Sequence, residues 1–433
     1  MATMLGLMAL AAAWGGGCSR ERPQAFDAEY IESLAELPQA KQSSDADLLA
    51  AIARVEEKRD APWQLAEPPV PIAQQDNAAA VIADLFAPAV LEELTDNLAG
   101  IYPRDEFQVN KLVLERMIRL RQRFDNELRQ LEEALARPAS RFPIDYRRGF
   151  FAETRFVDSA IACARLEAIC VAELLDADRV SDAVVPLRAM FRVAQLLAAE
   201  KHVEARLAAA DIRAEALRVL ERVAQHAATT RSELVAILDI VERQLAHWPG
   251  DALAWQGDRA MTLHAYEVIR AERVHLLLTP EEIEAFRAEG ILRDFPAAAK
   301  RVVDEDERYY LQAMDRLLGS CERPYYRRLE TFAALRRELH ELRDKEDFPL
   351  AAARLFLPAI EEGMRRQAED RGRCEAAAIA LSLAAGIEPP EYTLHPVTGK
   401  PYEISREGPI AVWAGDHQIV IPYPTTPVSP SAR

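Results

Sequence analysis

The densest apolar periodicity in the chain runs from Phe150 to Trp248 and predicts four consecutive amphipathic helices with short connections. The first of them lies between Phe150 and Asp176, and its polar residues follow one another at spacings of three, seven, eight and three positions. These residues are Arg155, Asp158, Arg165, Glu173 and Asp176. At about 3.6 residues per turn they share one narrow strip, and most of the remaining circumference is apolar. Because such a helix needs other helices around it, we expect it at the centre of a helical core.

Local signals mark the ends of the next three helices. Ser181 and Asp182 predict the N-cap of the second helix and place Pro186 in or near its first turn. A break near His202 separates it from the third helix, whose apolar residues recur every seven positions. The fourth helix begins with a capping-box pattern at Thr230. Helical hairpins are the structure that these signals favour.

Helical periodicity continues on both sides of this stretch and changes to short β-like runs near the C-terminus. Asp105–Ala136 predicts one long, highly charged helix, and Pro349–Ala385 predicts another. More than one helix is predicted within residues 77–99, and single helices are predicted at residues 251–269, 279–290, 296–318 and 324–345. The β-like runs are Tyr402–Ser405, Ile410–Trp413 and Gln418–Ile421. We therefore predict an all-α fold, a multi-helix antiparallel hairpin bundle with a small C-terminal β-meander packed on the helices.

The N-terminal segment has the features of an export signal. Met4–Trp14 is an apolar run too short to span a membrane, and Gly15-Gly16-Gly17-Cys18 follows it. Small residues before a cysteine resemble the lipobox of bacterial lipoproteins, in which that cysteine carries the lipid. We therefore expect lipidation at Cys18. The alternatives are an ordinary cleaved signal or a short buried apolar end.

These patterns divide the chain into five parts. We expect a signal peptide with its lipobox-like cysteine at residues 1–18 and a partly disordered tether at residues 19–75. The alternative for the tether is a strap that packs along the domain. The helical domain is expected at residues 76–388, the β-meander at 389–422 and a disordered tail at 423–433.

Charge limits the partners. The chain has 433 residues and a formal net charge of −17, so nucleic acid and anionic lipid surfaces would repel it over most approaches. We expect no nucleic-acid partner and no cofactor. The chain would reach a membrane through its lipid anchor, and an envelope protein is a candidate partner.

The four cysteines after Cys18 allow two interpretations. Cys163 and Cys170 lie two turns apart on one predicted helix, about 10 Å by helical rise, and cannot bond to each other. Either could form a disulfide with Cys321 or Cys374, which export would permit. Alternatively, all four are buried thiols. The absence of a Cys-x-x-Cys pattern disfavours a zinc ribbon or a thioredoxin-like site.

Four short patterns occur across most of the chain. They are Asn77-Ala78-Ala79, Arg141-Phe142-Pro143-Ile144-Asp145-Tyr146, Gln256-Gly257-Asp258-Arg259-Ala260 and His395-Pro396-Val397-Thr398-Gly399-Lys400-Pro401-Tyr402. Over residues 77–421 they resemble those of a group of exported, all-helical bacterial proteins. The last pattern is similar to a turn that leads into the terminal strands of pseudopilin-like secreted proteins, although His395 replaces an aspartate there and Val397 a phenylalanine. The resemblance implies a helical fold and export, and it implies no activity.

Motifs of known catalytic and metal sites are missing from the sequence. It has no nucleophilic-serine, zinc-protease or EF-hand pattern. Thr398-Gly399-Lys400 lacks the upstream glycine and the helix of a phosphate loop, which favours a structural turn. The acid run Asp304–Glu307 spreads around a helix, which favours a solvated face over a weak divalent-cation site. His264 and His275 have no acidic or cysteine partner at ligand spacing.

Glu167 is the residue of the central helices that packing alone does not explain. It lies roughly opposite the polar strip of its helix, with Glu153 near the same side. An unpaired carboxyl group there would have a raised pKa and could act as a general acid. Alternatively, an arginine from the Asp105–Ala136 segment neutralises it.

Two functions are compatible with these patterns. The first is a membrane-tethered, non-enzymatic helical scaffold or binding protein of the bacterial cell envelope. It rests on the lipobox-like N-terminus, the spacer and the stacked helices. The second is an enzyme or small-ligand binder that uses the buried carboxylate of Glu167. A water-accessible pocket reaching Glu167 or Glu153 would favour the second function.

Overall fold

The computed structural model describes residues 72–101, 111–144, 152–270, 274–278, 280–288, 290, 294–343, 349–392 and 394–424. The predictions for Cys18, the signal peptide, most of the tether and the tail beyond residue 424 therefore lie outside the described residues. Within the described ranges, none of the helices combines the length and the apolar character that crossing a bilayer requires.

Fourteen α-helices and one three-stranded sheet form the described part of the chain, which confirms the predicted all-α fold with a small β-meander. The helices are α1 (Ala78–Asp84), α2 (Pro88–Ile101), α3 (Lys111–Gln122), α4 (Asp125–Leu135), α5 (Arg155–Asp176), α6 (Val180–Ala198), α7 (Val203–Gln225), α8 (Arg231–Ala246), α9 (Ala252–Arg270), α10 (Pro280–Ala288), α11 (Phe295–Arg301), α12 (Val303–Ser320), α13 (Tyr325–Arg343) and α14 (Ile360–Ala384). Short 3-10 turns lie at Gln74–Asp76 and Val274–Leu277, and a π-helical turn (Ala352–Phe356) precedes α14. The strands are β1 (Glu403–Ser405), β2 (Ile410–Ala414) and β3 (His417–Ile421).

The predicted central helices, α5 to α8, lie in the first hydrophobic core. Helices α5 and α7 pack against α6 and against each other, while α8 packs against α6 and α14. The inward face of α6 is buried as predicted, with Leu187, Met190 and Leu197 fully removed from solvent. Burial of each such side chain contributes about 1.5–3 kcal/mol. Helices α1 to α4 and the sheet complete this core.

A second hydrophobic core lies among α9 to α13, the π-helical turn and the beginning of α14. Trp255, Tyr266 and Tyr310 are large side chains that are fully buried in it. Helix α7 contributes Val203 and Leu207 to this second core and most of its later residues to the first. Helix α14 likewise passes from the second core to the first along its length. The two cores therefore meet along α7 and α14.

The sheet is an antiparallel meander in the order β1-β2-β3, and β2 and β3 pack on α14. Two side chains of α7 form hydrogen bonds with the backbone of Val420, at the outer edge of β3. Gln225 Nε2 donates to the carbonyl oxygen of Val420 at 3.3 Å, and Glu221 accepts a hydrogen bond from the Val420 N–H.

The segment 395–401 forms the predicted turn ahead of the strands and lies on the beginning of α13. The carbonyl oxygen of Pro396 accepts a hydrogen bond from the N–H of Tyr326 at 3.2 Å. Gly399 has a φ of 65°, and a Cβ at that position would lie 2.7 Å from the Tyr326 ring. The position therefore requires glycine. His395 Nδ1 accepts from two following backbone N–H groups at 3.3 Å, a role that an aspartate oxygen can also perform.

Three predicted helices are interrupted. Over its described residues, 111–136, the Asp105–Ala136 segment forms α3 and α4, because Phe124 leaves the helical path and packs in the core against the edge of Phe86 at 5.8 Å between centroids. The predicted helix at 349–385 is broken after the π-helical turn, where Pro358 cannot donate a helical hydrogen bond. The helix predicted at 296–318 is divided between α11 and α12.

The predicted start of α6 is also wrong. The helix begins at Val180, and Ser181 Oγ donates to Glu233 at 2.6 Å instead of capping it. Asp182 forms an ion pair with Arg179 at 2.6 Å. Pro186 consequently lies inside the helix and not in its first turn. The proline removes one N–H donor from the face of α6 next to the cleft described below.

Gly257 explains one of the short sequence patterns. It lies in α9 where this helix crosses the backbone between α6 and α7, and a Cβ there would be 1.7 Å from the carbonyl oxygen of Lys201. The helix can approach so closely only because residue 257 has no side chain. The break near His202 is confirmed, and it is the place where α9 and α7 come together.

Candidate functional site

A cleft of about 1050 Å³ opens between α3, α4, α5, α6 and α8. Helix α6 positions its side chains along one wall, because the face opposite its buried stripe carries Arg188, Arg192 and Gln195 at spacings of four and three. Glu167 and Cys170 line the wall formed by α5. The volume is that of a site for a small organic molecule.

Apolar side chains form much of the remaining surface of the cleft. Val185 is 52% exposed there, a large fraction for a branched apolar residue. The larger apolar side chains that line the cleft are Leu128, Leu135, Leu174, Val185, Pro186, Phe191 and Ile240. A ligand with an apolar part would remove this surface from water, at about 25 cal/mol per Å².

Seven arginines and five acids line the same cleft. Three of the arginines form ion pairs with lining aspartates: Arg121 with Asp125 at 2.5 Å, Arg179 with Asp182 at 2.6 Å and Arg243 with Asp239 at 3.0 Å. The four others have no carboxylate partner among the described residues; they are Arg129, Arg137, Arg188 and Arg192. The cleft therefore has an excess of unpaired positive charge in a chain whose net charge is −17.

Arg192 is the most informative of these arginines. Its side chain is half-buried and donates to Gln195 Oε1 at 2.8 Å, a neutral partner. Burial lowers the pKa of Arg192, because the charged form is partly removed from water with no nearby carboxylate to offset the cost. An anion in the cleft would supply that charge.

Glu167 reaches the cleft as an almost buried carboxyl group. Burial, reinforced by the carboxylate of Glu132 and opposed by Arg121, raises the pKa of Glu167 to about 8. Neutralisation by an arginine of the Asp105–Ala136 segment is not what the structure shows. Arg121 instead pairs with Asp125 and with Glu173, both at 2.5 Å. Glu167 has no hydrogen-bond partner among the described residues and is protonated at neutral pH, so it adds no negative charge to the cleft.

The four described cysteines, which were the predicted disulfide candidates, are all free thiols; they are Cys163, Cys170, Cys321 and Cys374. Burial raises the pKa of Cys170 to about 12, with a further contribution from Glu167. Burial also raises the pKa of Cys163 and Cys374, and it raises that of Cys321 to about 12. Cys170 therefore lines the cleft as a neutral thiol, not as a nucleophilic thiolate.

The other candidate residues are not brought to the cleft. Glu153 is exposed and faces Arg155 at 4.0 Å. His264 is half-buried, and burial lowers its pKa, while the side chain of His275 lies outside the described part. No three His, Cys, Asp or Glu side chains within the described ranges are grouped to hold a metal ion.

The acid run Asp304–Glu307 is only partly a solvated face. Asp304 and Glu305 are exposed, but Asp306 and Glu307 are buried, so the prediction is wrong for these two. Asp306 accepts from the N–H groups at residues 350–352, at 2.5, 2.9 and 2.8 Å, and from the Tyr266 hydroxyl at 2.7 Å. Its carboxylate thus caps the π-helical turn from another helix. Glu307 forms an ion pair with Arg270.

Sequence reasoning also missed a buried polar layer where the two cores meet. We call it the arginine layer; it consists of Arg206, Arg213, Trp248, Gln367 and Asp370. Arg213 and Asp370 are both buried and form a bidentate pair with N–O distances of 2.5 to 3.0 Å. Arg206 and Arg213 are seven positions apart on the apolar face of α7, and this spacing was a signal of their burial.

The comparisons with known proteins identify no relative. No family model matches the chain, and neither the curated proteins nor the solved structures yield a match. The function must therefore be inferred from the side chains of the cleft.

Proposed function

We propose that this protein is a non-enzymatic binding protein of the bacterial cell envelope that holds a small amphipathic organic anion in the cleft between α3, α4, α5, α6 and α8. One observation carries the proposal: a cleft of about 1050 Å³ in an acidic chain is lined by apolar side chains and by four arginines that have no carboxylate partner among the described residues. A ligand with an apolar body and one acidic group would satisfy both surfaces together.

Charge supports the choice of an anion. Arg188 and Arg192 lie one turn apart on α6, and neither has a carboxylate within the described residues. The guanidinium group binds carboxylate, sulfonate and phosphate oxygens through paired N–H donors. The half-buried position of Arg192 strengthens such a contact, since water screens it less than at an open surface.

The envelope location rests on the sequence alone. The lipobox-like Cys18, the spacer that follows it and the resemblance to exported helical proteins support it. A tether would keep the binding domain near a membrane without contact between that acidic domain and anionic lipid headgroups. The ligand would then be a molecule of the envelope compartment.

The proposal is tested with two fluorescent probes that share one aromatic skeleton, anilinonaphthalene sulfonate and the uncharged phenylnaphthylamine. We expect one site for the sulfonate, and Arg192→Gln should weaken its binding about tenfold, since a hydrogen bond to a charged group contributes about 1.5–3 kcal/mol. The same substitution should leave phenylnaphthylamine binding nearly unchanged. Arg316→Gln, an exposed arginine on α12 that pairs with Glu338, is the matched control. Equal binding of both probes, or no effect of Arg192→Gln, would contradict the proposal.

A second candidate is an enzyme in which Glu167 acts as a general acid. The observation that favours it is the raised pKa of Glu167, about 8, at the wall of a ligand-sized cleft. A screen with chromogenic ester, phosphate and glycoside substrates distinguishes the two functions. Turnover that Glu167→Gln abolishes, while probe binding persists, would establish the enzyme. Probe binding without turnover would leave the binding protein.

A further inference from the structure

The arginine layer contains a buried cation whose donors are mostly unused. Arg206 is 1% exposed. Its Nη2 reaches the carbonyl oxygen of Pro249 at 3.5 Å and a carboxylate oxygen of Asp251 at 3.8 Å, both long contacts. Its Nε and Nη1 are buried and have no partner among the described residues.

The nearby carboxylates are already occupied. Asp251 accepts from Arg328 Nη2 at 2.5 Å, and Asp370 is held by Arg213. Three buried or nearly buried guanidinium groups thus share two carboxylates, and the local charge is positive.

Two further donors of the same layer lack acceptors. The guanidinium groups of Arg206 and Arg213 lie over the ring of Trp248, at 5.1 and 4.5 Å from its centroid, and the indole Nε1 has no partner within the described part. Gln367 lies one turn before Asp370 on α14. Its Oε1 accepts from the Trp255 indole at 3.0 Å, which leaves its Nε2 without an acceptor.

A buried cation held only by two long contacts is costly. Burying a charge without a counter-charge costs several kcal/mol, and each unsatisfied donor adds to that cost. Burial lowers the pKa of Arg206 to about 10, so the group remains charged at neutral pH. All the unused groups are donors, and an occupant must therefore be an acceptor.

We propose that the arginine layer binds a small monovalent inorganic anion, of the chloride class, against Arg206. The anion would neutralise the excess charge and accept hydrogen bonds from the unused Arg206 donors. A halide suits an enclosed layer because it needs little space and no fixed orientation. Arg206 does not line the cleft, so this site is independent of the proposed ligand-binding function. Its role would be structural, joining the two cores along α7 and α14.

The test compares thermal unfolding in sodium chloride and in sodium gluconate at equal ionic strength. Chloride at about ten times its Kd should raise the Tm of the full chain by about 1.5 °C. Arg206→Met should lose this chloride response and be at least as stable as the original chain in gluconate. Arg366→Met is the control, because Arg366 lies on the same α7–α14 interface but has its own carboxylate, Asp211, at 2.5 Å. This variant should keep the response.

The outcomes separate an anion from buried water. A Tm that does not distinguish chloride from gluconate, or an Arg206→Met variant that responds like the original chain, would overturn the proposal. If Arg206→Met fails to fold, crystals of the unsubstituted protein grown in bromide decide the question through anomalous scattering. A bromide within hydrogen-bond distance of Arg206 supports the site, and its absence overturns it.

Discussion

Replacing Glu167 by glutamine removes a titrating group from the wall of the cleft while preserving its shape. Burial raises the pKa of Glu167 from 4.5 to about 8. Between these two pH values the unfolded chain has released this proton and the folded protein still holds it. Stability therefore falls as the pH rises through this window, and the loss is complete above about pH 8. Glutamine stays neutral throughout.

The size of the effect follows from the shift. While the folded and unfolded states differ by one proton, the free energy of unfolding changes by about 1.4 kcal/mol per pH unit. Between about pH 5.5 and pH 7.5, Glu167→Gln should therefore gain roughly 2–3 kcal/mol relative to the original chain. Other buried acids, such as Asp258 with a pKa raised to about 8, titrate in both proteins and cancel in the difference.

Urea unfolding followed by circular dichroism, at several pH values across that window, measures the difference. Glu153→Gln is the matched control, because Glu153 is exposed and precedes the same helix. Its stability difference from the original chain should not change with pH. A Glu167→Gln difference that is equally flat across this window would refute a raised pKa. A flat difference in which Glu167→Gln is the less stable protein at every pH would show that Glu167 is ionised and paired in the folded state.

Three further predictions concern other parts of the chain. Gly257→Ala should lower the free energy of unfolding in urea by about 3 kcal/mol, because its Cβ would overlap a backbone carbonyl group. The control Gly319→Ala places its Cβ in open space, so it should leave that free energy unchanged or raise it by up to about 1 kcal/mol. Asp306→Asn should lower the free energy of unfolding by about 2–4 kcal/mol, because its carboxylate caps the π-helical turn. Asp304→Asn changes an exposed side chain and should lower it by less than about 1 kcal/mol. Equal losses of stability in the two variants would contradict the capping role of Asp306. Metabolic labelling with a fatty acid should mark the chain through Cys18 and not the Cys18→Ala variant; failure to label would exclude the lipid anchor.

Local signals predicted much of the fold because the physics behind them is local. The capping box at Thr230 is formed as its four-residue pattern implies. Likewise, the short β-like runs between glycine-containing turns predicted the three strands of the meander. In each case the stabilising hydrogen bonds or φ angles involve residues close together in the chain, so the sequence near them is sufficient.

Features that depend on distant residues were not predictable in this way. The division between α3 and α4 depends on Phe86, which receives the ring of Phe124 from 38 positions away. Asp306 is buried because the N–H groups that it caps come from residues 350–352. The sequence indicated the cleft only through Glu167. The arginines of the cleft lie at solvent-facing positions of several helices, and in the sequence such positions cannot be distinguished from ordinary surface charge.

The contacts between α7 and β3 have a consequence for the state of the protein in concentrated solution. Gln225 and Glu221 engage the carbonyl oxygen and the N–H of Val420, the two groups that another strand would use to pair with this edge. Helix α7 thus occupies the position beside β3 where a fourth strand could begin to pair. A sheet of three short strands with an open edge is a template for association with a second chain. At the β3 edge that template is blocked within the molecule, by side chains one helical turn apart.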